Sequence, residues 1–191
     1  MSVFTHGPLL WFLNRGTGAA VLILLTLTIA LGILTGRPMR SRWIPGFVTR
    51  QLHRNIAVIS LVLVGLHAIS AVIDTYVDIT WWQAFSPVGG TYRPFWLGLG
   101  SLAFDVMLVL ALSSAVRTRL TPKVWRAVHL SGYVTWPVAV AHSYGIGTDA
   151  GDAWARWLVV GCLLSIVLAG LARVWSERRF RREMQPAGLL P

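Results

Sequence analysis

Five stretches of this 191-residue chain are too long and too apolar for an ordinary water-soluble domain, and they cover approximately 17–36, 52–74, 95–115, 124–145 and 154–175. A helix needs about 20 residues to cross a hydrocarbon layer of roughly 30 Å, and each stretch is about that long. No water reaches that layer to satisfy backbone N–H and C=O groups, so each stretch must satisfy its own and is predicted to be a helix. The alternating short strands of a lipid-facing barrel do not occur in the sequence. A mean hydropathy of +0.63 and a charged fraction of 13%, about half that of a soluble domain, point the same way. The expected fold is all-α and integral to a membrane: a five-helix transmembrane bundle over residues 1–175, followed by a basic tail over 176–191.

The net charge of +10 would suit a nucleic-acid binder if it were spread over one soluble surface. It is instead confined to alternate connections. Arg37, Arg40, Arg42, Arg50 and Arg54 lie in or beside the first connection, Arg117, Arg119, Lys123 and Arg126 in the third, and Arg173, Arg178, Arg179, Arg181 and Arg182 at the tail. After five crossings these all fall on one side, with only Arg15, Arg93 and Arg156 on the other. The positive-inside rule then puts the N-terminus outside and the C-terminus in the cytoplasm, with no role in binding nucleic acid. Tryptophans mark both boundaries, Trp11, Trp81, Trp82, Trp96, Trp154 and Trp157 outside and Trp43, Trp125 and Trp175 inside. The first apolar run lacks the basic lead and small-residue cleavage site of a secretory signal, so it is expected to remain as a span. Sixteen arginines against one lysine suggest a GC-rich bacterial source and hence the inner (plasma) membrane as a multi-pass location.

Of the five histidines, four lie in two predicted helices: His53 and His67 in the second, His129 and His142 in the fourth. Ionisable groups are costly at membrane depth and mark functional sites there. The 14-residue spacing of His53 and His67 is about 3.9 turns, which puts both on nearly one helix face, roughly 21 Å apart along the axis. The 13-residue spacing of His129 and His142 would turn them roughly 140° apart on an ideal helix, and Pro137 between them is expected to supply the distortion that returns both to one interface. Because the second and fourth helices cross in the same direction, His53 pairs with His129 at the inner level and His67 with His142 at the outer.

Two neutral imidazoles facing each other supply axial ligands to a flat macrocycle without adding charge to an apolar interior. Two such pairs call for two b-type hemes, with the four histidines ligating heme iron. Arg50, Arg54 and Arg126 are placed either to pair with inner heme propionates or to anchor headgroups, and Arg93 and Tyr144 stand in the same position outside. Gly65 and Gly132 lie near the ligands, where they either open space for a ring edge or serve plain helix contact. Asp105 either relays protons, holds a ligand imidazole, or is neutral and bonded to a hydroxyl. Trp136, between the two levels, either shortens an electron path or serves packing, and Cys162, in the fifth helix, is read as packing ahead of a thiolate heme ligand. His6 has no role in the pattern.

The segments QLHRNIAVISLVLVGLH at 51–67, RPFWLGLGSLAF at 93–104 and VWRAVHLSGYVTWPVAVAH at 124–142 resemble the ferric reductase-like transmembrane family. That family includes NADPH oxidases, metalloreductases and the heme-binding membrane subunit of bacterial methionine sulfoxide reductase systems. The resemblance spans roughly 15–175 and implies that His53, His67, His129 and His142 are heme ligands, with Trp125 and Tyr133 in the surrounding pattern. It also implies electron flow from the cytoplasmic side to an outer acceptor. Fused relatives carry a flavin and nicotinamide module and many have six spans, whereas this sequence has no Gly-rich phosphate loop and five apolar runs. A cytoplasmic flavoprotein or a membrane quinol is therefore the expected donor, bringing flavin or quinone from a partner, and a sixth helix is either missing or supplied by a partner.

The leading expectation is a diheme b-type cytochrome, the membrane electron-transfer subunit of an oxidoreductase, serving an extracytoplasmic acceptor. One alternative is a heme or transition-metal transporter; the other is a terminal reductase of ferric chelates or oxygen at the outer heme. A metal permease would be expected to enrich Cys, Met or carboxylates beside its imidazoles, and none lies between His53 and His67 or between His129 and His142.

Overall fold

The computed structural model describes residues 8–35, 45–75 and 77–184. His6, the inner-connection residues Arg37, Arg40, Arg42 and Trp43, and the end of the tail lie outside the described residues. Those described are all-helical: α1 (Pro8–Thr35), α2 (Gly46–Ile73), α3 (Trp81–Phe85), α4 (Pro94–Ala115), α5 (Pro122–Leu130), α6 (Gly132–Ile146) and α7 (Ala153–Met184), with a 3-10 turn at Arg117–Arg119 before α5.

Four helices, α1, α2, α4 and α7, are long and apolar enough to cross a membrane. Several begin or end beyond the limits expected from hydropathy. α1 starts at Pro8 and not near 17, α2 at Gly46 and not near 52, and α7 continues past 175 to Met184.

The helix expected at 124–145 is two helices, α5 and α6, divided at Ser131. The break does not fall at Pro137, which lies inside α6. At Ser131 the winding tightens: Ser131 N–H donates to Val128 O (3.0 Å) and Val134 N–H to Ser131 O (2.9 Å), both over three residues. The Ser131 hydroxyl adds a bond to Val128 O at 2.7 Å, a side-chain back-bond of the kind that bends helices. Each residue wound in this geometry turns roughly 20° further than in an α-helix. The extra rotation moves His142 towards the face that carries His129.

α1 is the central helix, packed along α2 on one side and α7 on the other and touching α6; α4 packs on α6. α2 does not pack along α5 or α6, so a gap lies between them, bounded by α1 and α4. The buried core at mid-height consists of Leu22, Leu25, Met107, Trp136 and Cys162. Trp136 Nε1 donates to Thr26 Oγ1 (2.9 Å), whose own hydroxyl donates to Leu22 O (2.7 Å), so each polar atom introduced into this layer is satisfied. Large apolar side chains point outward instead, among them Val58, Val62 and Leu66 of α2 and Leu164, Leu168 and Leu171 of α7, each 49% to 63% exposed. Such a surface is stable against lipid and not against water.

At one end of the bundle the segment after α2 folds over α4. Gln83 is its hub: its side chain accepts from Thr80 N–H and donates to Gly89 O, and its carbonyl accepts from the Ser101 hydroxyl at 2.6 Å. Arg93, in the left-handed region at φ 39°, starts α4 and sends Nη1 to Gly145 O at 2.7 Å, joining α4 to the end of α6. Below, this is the loop end; the opposite end, with Arg117 and Arg126, is the basic end.

Candidate functional site

His53, His67, His129 and His142 meet as two couples across the gap. At the basic end the His53 and His129 ring centroids are 6.0 Å apart with planes inclined by 69°. At the loop end His67 and His142 are 6.5 Å apart at 86°. Each couple takes one ring from α2 and one from the α5–α6 pair, in the combination read from the sequence. Among the described residues no three His, Cys, Asp or Glu side chains converge, so the imidazoles come in twos and do not form a tetrahedral cage.

Three of the rings are fixed by the backbone. His53 Nδ1 lies 2.9 Å from Thr28 O, His67 Nδ1 3.0 Å from Asn14 O and His142 Nδ1 2.8 Å from Trp96 O. A carbonyl can only accept, so Nδ1 carries the hydrogen in each ring and Nε2 keeps the lone pair. An imidazole prepared in this way is neutral, oriented and ready to ligate a metal through Nε2. Asn14 also donates through Nδ2 to His67 O (2.9 Å) and Ser70 Oγ (3.1 Å), tying α1 to the α2 turn that carries His67.

His129 differs. Its Nδ1 is buried without a hydrogen-bond partner, and so is Trp125 Nε1 one turn earlier. The two rings stack with centroids 4.7 Å apart and planes 19° from parallel, and the Arg117 guanidinium lies 4.3 Å from the centre of the indole. Thus the ring is oriented by an aromatic face rather than by a carbonyl.

The separation within each couple tests whether these residues fit a heme. A metal–imidazole bond of about 2.0–2.1 Å on each side, plus about 1.1 Å from nitrogen to ring centre, puts two axial centroids roughly 6.2–6.4 Å apart. The observed 6.0 and 6.5 Å bracket that value. A cavity of about 280 Å³ adjoins the loop-end couple, with His67, His142, Leu22, Met107 and Tyr144 in its walls. Its lining is mostly apolar, as a porphyrin face requires.

The remaining sequence-selected residues are distributed differently. Tyr144 lines that cavity, while Arg50, Arg54 and Arg126 are exposed near the basic end. Arg93 is exposed but has Nη1 engaged on Gly145 O. Asp105 holds none of the imidazoles, since carbonyls take that role for three and His129 Nδ1 has no partner. Gly65 meets no other side chain and Gly132 faces only Leu110, so neither lies against a histidine ring. Sequence reasoning missed Arg15 and Asp149, which pair at the rim of the loop-end cavity, where Arg15 also reaches Thr148 and lies 4.2 Å from the centre of the Trp11 ring. The signal was present: a lone arginine and an aspartate near the same predicted boundary.

A lipid-facing helical bundle with paired imidazoles between its helices defines a class of membrane electron-transfer domain. Residues 17–140 match the family model described as ferric reductase like transmembrane component, and the chain belongs to that family. Domains of this kind generally bind heme. The match includes His53, His67 and His129 and stops two residues before His142. No curated protein matches the chain.

Proposed function

We propose that this chain is a diheme b-type cytochrome that carries electrons across the bilayer, with residues 1–175 as the heme-bearing domain and 176–191 as a basic cytoplasmic tail. The observation that carries the proposal is the pair of face-to-face imidazole couples, 6.0 and 6.5 Å between ring centres, at two depths. His53 and His129 hold the inner heme, and His67 and His142 the outer. Heme iron bound in this way supplies reversible one-electron chemistry.

The chain's own residues supply position and insulation. Thr28, Asn14 and Trp96 carbonyls hold three ligand rings in one tautomer, and the Trp125 face holds the fourth. Leu22, Leu25, Met107 and Trp136 keep the layer between the levels dry. Two neutral ligands on each iron leave no open position, which favours outer-sphere electron transfer over direct oxygen chemistry.

In the proposed topology α5 and α6 together make one crossing, giving five spans with the N-terminus outside, the loop end outside and the basic end cytoplasmic. The distribution of arginine supports it. A cytoplasmic flavoprotein or a quinol supplies electrons at the basic end, and an extracytoplasmic acceptor takes them at the loop end, in the inner (plasma) membrane of a bacterium.

Pyridine hemochrome assay of the purified chain tests the proposal. It should give about two b-type hemes per chain, falling to one in each of His67→Ala, His142→Ala, His53→Ala and His129→Ala, and reduced-minus-oxidised spectra of the intact variants should differ between the first two and the last two. A heme-free protein that binds a transition metal would favour a transporter instead.

A further inference from the structure

Three of the four imidazoles share a structural device that recurs on two helices. His67 donates Nδ1–H to Asn14 O, and its ring lies against Gly18, where an added Cβ would be 3.0 Å from Cε1. His53 donates to Thr28 O and lies against Gly32, with 3.5 Å to the corresponding Cβ position. His142 donates to Trp96 O and lies against Gly100, where a Cβ would overlap the ring. In every case the acceptor is residue i and the glycine is residue i+4, twice on α1 and once on α4.

The recurrence has a physical cause. Side chains on a helix lean towards its N-terminus, so the residue at i+4 normally covers the carbonyl at i. That carbonyl already accepts the helical N–H but keeps a second lone pair. Glycine at i+4 uncovers it, and an imidazole can then set its Nδ1–Cε1 edge in the notch and reach that carbonyl oxygen, which at Asn14 also accepts from the Thr17 hydroxyl. With no water to compete, the bond and the close contact together fix the ring's tilt and its tautomer.

We propose that Gly18, Gly32 and Gly100 are positioning residues, each forming with the carbonyl four residues earlier a seat that aims one histidine Nε2 at heme iron. The inference rests on the diheme reading above. It assigns the outer heme two seated ligands, His67 and His142, and the inner heme only one, His53, because His129 stacks on Trp125 instead. The outer pair is therefore rigid from both sides and the inner pair from one.

The test is a graded series in the full chain, purified in detergent. Gly100→Ala and Gly18→Ala should each lose most of the outer heme, or convert it from low-spin to high-spin, while the inner heme stays low-spin. Gly32→Ala, whose methyl has room, should hold both hemes; Gly32→Leu, which covers the Thr28 carbonyl, should lose the inner heme alone. Gly161→Ala and Gly170→Ala on α7, where an added methyl meets nothing within 4 Å, serve as controls with two hemes. Heme per chain and spin state are read together, so the retained heme reports that each variant has folded. If Gly100→Ala fails to fold, Gly18→Ala and the two Gly32 variants decide the matter. Gly100→Ala, Gly18→Ala and Gly32→Leu keeping both hemes low-spin, or losing both together, would overturn the seats while leaving the diheme reading intact. A wild-type chain without heme would overturn that reading, and the seats with it.

Discussion

His129 stacks on Trp125, ring centres 4.7 Å apart and planes within 19°, at the one ligand position where no backbone carbonyl receives Nδ1. The stack is an intrahelical contact one turn long, so α5 alone orients this ligand. Arg117, above the far face of the indole, extends the column towards the basic end.

Removing that face should disturb one heme and spare the other. Aromatic pairs contribute about 0.5–1.5 kcal/mol beyond burial, so Trp125→Ala should reduce inner-heme occupancy up to about tenfold. Trp125→Phe keeps a stacking surface and should remain near wild type. Potentiometric titration, which resolves the two hemes, measures both; equal loss of the two hemes would contradict the assignment.

The break between α5 and α6 should depend on Ser131 and not on Pro137. Pro137 lies within a helix that runs on through it, so Pro137→Ala should hold both hemes with no loss of thermal stability. Ser131→Ala removes the bond to Val128 O, relaxes the tight turn and should cost about 1 kcal/mol. It should also alter the low-spin spectrum of the inner heme. Thermal denaturation followed at the heme band compares the two variants.

Trp136 and Thr26 join α6 to α1 in the layer between the two histidine couples through a 2.9 Å hydrogen bond. Thr26→Val and Trp136→Phe should each destabilise by about 1 kcal/mol, with a coupling of about 0.6 kcal/mol in the double variant. Trp136→Ala opens a cavity and should cost about 3–5 kcal/mol. Additive single effects, from unfolding titrations in detergent, would show that the bond contributes nothing.

The membrane character and the pairing of histidines were legible in the sequence because hydropathy and helical spacing are both one-dimensional signals. The 14-residue step from His53 to His67 needs only a straight helix. The 13-residue step from His129 to His142 does not fit one, which signals a distortion without locating it: proline was the visible suspect, yet the hydroxyl of Ser131 and the tight bonds at Val128 and Val134 hold the break. The ligand seats were not legible, since Gly18, Gly32 and Gly100 are ordinary glycines until the partner helix brings a ring against them. Gly65 and Gly132, nearer the histidines in sequence, do not lie against an imidazole. Holding an imidazole was one of the readings open for Asp105, but backbone carbonyls, invisible as a sequence signal, take that role for three of the rings.

The near-perpendicular ring planes, 69° and 86°, make the central claim measurable in one experiment. Low-temperature electron paramagnetic resonance of the oxidised, purified chain should show two low-spin ferric signals of the strongly anisotropic type that crossed imidazole planes produce, and no high-spin iron. High-spin ferric heme as the main species, or no ferric heme signal at all, would mean that the facing imidazoles do not clasp iron between them.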